Sequence, residues 1–294
     1  MTRVLTLLCL GCVVTIGASA YGLLGTSTRV PPRSTAPGSA PTSSSLADSS
    51  STDSPWAVAL REARRECSLR ALDAVVQRLQ EHVAGNTKDQ PAWHFLAESL
   101  LLRVQQRAHL RGMTAGTPVW SDPPTEIVHD VDHGLAAVAR ARELGDDSGA
   151  LFRIEAGLMS QRITGLGSAL QWNPRVGAAI DAAMQRCQDD PQLHVVIGLR
   201  LLMAPSLLGH DPERALEHFE LAARALADDE RPAVFAAMAS YLQRKRQQAV
   251  AWLEQAVARN PKNSFARVVL QRVRRDEGDP FGRDVSVAEA AASK

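Results

Sequence analysis

The chain has little with which to do chemistry. Its 294 residues include two tyrosines, six phenylalanines and four cysteines. So few rings argue against a stacking platform for nucleic-acid bases. A net charge of +1 removes the general electrostatic case for binding a phosphate backbone, so no nucleic-acid partner is expected. There is no G-x-x-x-x-G-K-S/T phosphate loop and no G-x-S-x-G nucleophile elbow. Gly165-x-Gly167 lacks the preceding strand that a dinucleotide site requires. The one C-x-x-C spacing joins Cys9 to Cys12 inside an apolar leader, a poor place for a redox or metal site. Neither a cofactor nor catalysis is expected.

What is present divides the chain unevenly. Arg3 precedes an uncharged apolar run over 4–24, and Ala18-Ser19-Ala20 offers small residues for cleavage. The run fits a secretory signal peptide, and it is also long enough to remain as a membrane anchor. Both place the folded part outside the cytoplasm, periplasmic or extracytoplasmic, with membrane contact only through this segment. Residues 25–55 are rich in Ser, Thr and Pro and too poor in large apolar side chains to offset ordering entropy, so they read as a flexible linker. The folded part is expected over 56–274, with 275–294 a polar tail. Cys67 and Cys187 remain outside the leader; an oxidising compartment permits a bridge, while separate buried thiols are the simpler expectation.

Asp211 to Pro261 organises the folded part. Ala215, Phe219 and Ala222 return as Ala249, Leu253 and Ala256, a repeat of 34 residues. Small, large and small residues at i, i+4 and i+7 share one side of a helix, letting a neighbouring helix approach around a filled gap. Asp211-Pro212 and Asp190-Pro191 supply a cap followed by proline at the first helical position, and Asn173-Pro174 reads the same way. Helical patterns extend upstream over 57–85, 92–109, 129–144 and 149–163, giving five pairs centred on 57–109, 129–163, 175–203, 212–243 and 249–274. That pairing is open to a slip of one helix. Two irregular connections, 110–128 and 164–175, interrupt the series.

The A-x3-F-x2-A pattern at this period, with Pro261 following, resembles the tetratricopeptide (TPR) repeat. The resemblance implies an all-α fold, a TPR-like α-solenoid or right-handed superhelix of stacked hairpins. Residues 130–274 further resemble divergent TPR proteins of the bacterial envelope, including the helical periplasmic component associated with some TRAP-type transporters. That likeness rests on the loop before Asn173-Pro174 and on Met203-Ala204-Pro205, Gly209, Asp211-Pro212, Ala215 and Phe219. The consensus residues of the first helices are mostly missing, although Trp93, Gly198 and Tyr241 echo them. Arg186 also stands where a small residue is expected. The resemblance implies a protein or peptide partner, extending to an envelope complex or transporter.

Such arrays recognise partners on the groove lined by the first helix of each pair. His94, Arg153, Gln161, His194 and Arg200 are the side chains expected there. The two arginines are suited to paired hydrogen bonds with a carboxylate. Trp120 in the first long connection is either a ligand contact or a ring folded back onto the helices. Arg61, Arg64 and Arg65 read as a solvated face. A metal-dependent enzyme is the remaining alternative: His129 and His133 share a helical face, with Asp130 beside them in an H-D-x-x-H sequence. Aspartate there holds its carboxyl closer to the helix than the glutamate of H-E-x-x-H peptidases. The expected function is a non-catalytic scaffold, with a solute-binding or transporter-accessory protein as the alternative.

Overall fold

A computed structural model describes residues 54–293. The proposed leader and most of the proposed linker lie outside them. The described residues form twelve α-helices and one 3-10 turn, without a strand among them. The helices are α1 (Pro55–Arg65), α2 (Leu69–Gly85), α3 (Gln90–Arg107), α4 (Thr125–Glu143), α5 (Gly149–Ser160) and α6 (Leu166–Arg186). They continue with α7 (Pro191–Met203), α8 (Pro212–Ala225), α9 (Arg231–Leu242), α10 (Arg246–Arg259), α11 (Ser264–Arg274) and α12 (Val287–Ala292). None is long and apolar enough to cross a membrane.

The D-P boundaries work as local chemistry requires. Asp190 accepts from the Gln192 amide at 2.9 Å and Asp211 from the Arg214 amide at 3.0 Å, each ahead of a first-position proline. Proline has no N–H to lose there, and the aspartate satisfies a donor the helix leaves open. The small-large-small pattern is fully buried in both copies.

The closest packing joins α3 with α4, α5 with α6, α7 with α8 and α9 with α10. The expected pairs centred on 129–163, 175–203 and 212–243 are therefore shifted by one helix, the slip the sequence left open, while α2 still packs most on α3 and α11 on α10. The shift begins at Cys67, whose φ of 47° ends α1 and starts α2 without glycine or proline to announce it. A second difference lies at Asn173-Pro174. The sequence reads a helix start there, but α6 is already running and Pro174 lies inside it. Asn173 does not cap; its Oδ1 accepts from Arg200 Nε at 3.1 Å. The start lies upstream, where Ser168 Oγ accepts from the amides of Thr164 and Gly165 at 2.9 and 3.0 Å.

The chain's own segments cover much of the inner face. The α9 helix is apolar on every side and almost wholly buried, as a helix without a solvent face must be. Its surroundings include Leu110 and Met113 from the first long connection and Phe281 and Val285 from beyond α11. Residues 275–293 are thus not a free polar tail. The Met113 amide donates to the Phe281 carbonyl at 2.8 Å, and the Val285 amide to the Leu110 carbonyl at 2.7 Å. Buried Arg272 ties the segment down through the carbonyls of Arg283 and Asp284 and the Glu289 carboxylate.

The α1–α2 turn reaches the other end of the array. Asn260 Nδ2 donates to Cys67 Sγ at 3.2 Å, and Lys262 Nζ meets Glu66 Oε1 at 2.7 Å across 196 residues of sequence. Asp229, 1% exposed, gathers Arg231 at 2.7 Å, Arg64 at 3.4 Å and the Gln192 amide at 3.1 Å. Arg231 also donates to Gln105 Oε1 at 2.8 Å. Arg64 is therefore part of a buried network, not of a solvated face; burial and the Arg231 charge lower its pKa. Burial alone would raise the Asp229 carboxyl, but Arg231 and Arg64 hold it far below the usual carboxylate range.

Candidate functional site

With the α9 end covered, the inner face opens between α5, α6 and α7. A cavity of about 570 Å³ lies there, within the roughly 300–1,000 Å³ usual for small-molecule sites. Residues 116–120 form one wall, the C-terminal ends of α5 and α7 another, and the α6 start with 203–208 completes it. The Gly116 amide, bonded to the Leu202 carbonyl at 3.3 Å, fastens the loop across the site. The lining is mainly apolar, with Val119, Trp120, Val196 and Leu199 among it, and Arg200 is its one charged side chain. Arg200 is exposed and lies over Gly177, where a Cβ would stand 3.2 Å from Nη2.

Two of the four most exposed large apolar side chains among the described residues line this opening, and a third lies one helical turn away. Leu207 is 93% exposed and Leu166 61%, and both line the cavity; Leu170, at 63%, follows Leu166 by one turn of α6. The sequence pointed to the 110–128 connection and marked Met203-Ala204-Pro205 through a resemblance, but no motif marks these leucines. A helix start rich in exposed apolar residues is the signal that could have found them.

The groove residues expected from the sequence separate into different surroundings. Gln161 and Arg200 both line the cavity. Arg153 is 9% exposed and paired with Asp190 at 3.0 Å and Glu98 at 3.6 Å, inside the helical array. His94 Nδ1 lies 2.7 Å from Asp146 Oδ2. Burial would raise the Asp146 carboxyl, but hydrogen bonds from His94 and Ser148 prevail and hold it at about 2. His194 and His218 face each other with their Nδ1 atoms 2.9 Å apart, and burial and His194 lower the pKa of His218. Trp120 is 4% exposed, packed in the cluster of Val104, Ile127 and Val131, with the Arg111 guanidinium 4.5 Å from its ring centre. It is buried and also forms part of the cavity wall.

The H-D-x-x-H residues do not assemble a three-ligand site. The His129 and His133 rings lie with centres 3.8 Å apart and planes tilted by 42°, and burial with the neighbouring His129 charge lowers the pKa of His133. Asp130 is 1% exposed and held by the arginines: Arg103 Nε donates to it at 3.0 Å and Arg107 Nε at 3.3 Å, while His129 Nδ1 stands 3.8 Å away. No group of three or more metal-ligating side chains occurs among the described residues. Cys67 and Cys187 are unbridged. The expectation of two buried thiols fails at Cys187, which is exposed. Burial and the Glu230 charge push the half-buried Cys67 thiol up to about 12.

No protein-family model matches the chain, and no curated protein does. Among solved structures it is similar to TTC0263, a thermophilic TPR protein of Thermus thermophilus. The identity is 15% and the TM-score 0.53, over 74% of this chain and 98% of that one. YrrB, a TPR protein with an unusual peptide-binding site, aligns at 12% identity and a TM-score of 0.35, over 69% of this chain and 84% of that one. The likeness to TTC0263 together with the buried repeat pattern defines the fold as TPR-type. The likeness to TTC0263 does not point to a TRAP-transporter component in particular.

Proposed function

We propose that the protein is a non-catalytic TPR-type scaffold that engages a protein partner around the mouth of the α5–α6–α7 cavity. The exposed leucines carry this reading: Leu166 and Leu207 stand in solvent at one opening, with Leu170 one helical turn from Leu166. An apolar patch that a folded chain leaves uncovered marks an interaction site. The signal- or anchor-like run over 4–24 supports a partner in the cell envelope.

The cavity behind the rim favours a second role within the same reading, that of a solute-binding or transporter-accessory protein. A rim that docks on a membrane complex and a pocket that receives a small ligand are compatible tasks for one face.

The test is affinity capture from envelope extract with the full chain, its Leu166→Asp/Leu207→Asp variant, and a control Leu221→Asp on the outer face of α8. Wild type and control retain one stoichiometric partner and the rim variant loses it. Retention by the rim variant, or no specific partner at all, contradicts the proposal.

A further inference from the structure

We propose that the cavity between α5, α6 and α7 is a binding site for a small amphipathic monocarboxylate, an apolar chain or ring bearing one carboxylate that pairs with Arg200. The proposal rests on the solute-binding reading and names its ligand class.

The wall composition selects the ligand. Its lining is mainly apolar and contains no acidic residue, so it favours an apolar body and does not repel an anion. Arg200 supplies a single positive charge at an exposed position. Its Nε is committed to Asn173 Oδ1, and no carboxylate among the described residues pairs with its guanidinium. Two terminal nitrogens on a planar fork match the two oxygens of a carboxylate. Asn173 orients that fork, and the missing side chain at Gly177 gives it room.

The same wall disfavours a peptide as occupant. Each residue of a peptide brings a backbone donor and acceptor that must be paired once water is gone. Only a few side chains, such as Gln105, Gln161 and Asn173, offer polar atoms here, and the loop over 116–120 is pinned across the opening. One carboxylate meets one arginine without that difficulty. A cationic or neutral amphiphile would leave Arg200 without its partner, so the site distinguishes head groups.

Calorimetric titration of the full chain tests this with dodecanoate, dodecanol and dodecyltrimethylammonium. Dodecanoate should bind at one site about ten-fold or more tighter than dodecanol, and the cation should not compete. Arg200→Gln should remove the preference for the carboxylate while keeping dodecanol binding. Val196→Phe and Val119→Trp fill the cavity from different elements; each should abolish binding of both probes with the helical circular dichroism unchanged. Equal binding of dodecanoate and dodecanol to wild type overturns the ligand class and leaves a solute cavity standing. Binding that survives both filled variants, or no binding of any probe, overturns the cavity as a ligand site. If only an apolar peptide with a free C-terminus binds, the occupant is a protein terminus and the proposal fails.

Discussion

Gly198 shows how narrowly single residues determine this array. A Cβ at that position would stand 2.5 Å from Cε1 of Phe219, a rigid ring that is fully buried. Neither backbone nor ring has room to yield, so the α7–α8 approach depends on the absence of a side chain. Gly198→Ala should cost about 1–3 kcal/mol, the usual penalty of overpacking, read as a lower urea midpoint with an unchanged slope. Asp146 makes a different demand at the same scale. Its carboxyl is held at about 2 against an ordinary value of 3.8, so it contributes stability above pH 4 that is lost as the pH falls toward 2. The contribution amounts to about 2 kcal/mol. Asp146→Asn should lower the melting temperature at pH 7, and the gap to wild type should close between pH 4 and pH 2. A gap that stays constant across that window would contradict this assignment.

At the scale of elements, the decisive pieces are those that break the repeat. The segment beyond α11 buries Phe281 and Val285 and supplies the acceptors of Arg272. Removing residues 280–294 should lower the urea midpoint. It should also speed hydrogen exchange at the Met113 amide, whose acceptor is the Phe281 carbonyl. Unchanged exchange there would show that the segment does not hold the loop. Regular helices were legible in the sequence because their apolar spacing and D-P caps act locally. The α1–α2 break was not, because Cys67 takes a left-handed conformation that its residue type does not signal. The closing segment was missed for another reason. Phe281 and Val285 lie four apart among polar residues, and only the distant apolar surface of α9 gives them something to pack against. Of the site, Gln161, Arg200 and the first irregular connection could be read, while the second expected connection is mostly helix α6. The cavity could not, because it exists only where three helices and two connections converge.

Across the whole molecule, the inner face that an open TPR array would present is closed at one end by the chain itself. Arg64, Gln105, Gln192, Asp229 and Arg231 knit α1, α3, α7 and the α8–α9 turn together, while Glu66 and Lys262 meet at the surface. That closure leaves the α5–α6–α7 opening uncovered, where the proposed recognition falls. Glu66 and Lys262 are both about half exposed, with Nζ 2.7 Å from Oε1, so they are within reach of a zero-length carbodiimide. The direct measurement is peptide mapping of the monomer after carbodiimide treatment in dilute solution. The closed array predicts an amide between Glu66 and Lys262 in the monomer, lost in Lys262→Gln. Its absence from the wild-type monomer, alongside cross-links between neighbours on single helices, would mean that the array is open and that its whole inner face is available to a partner.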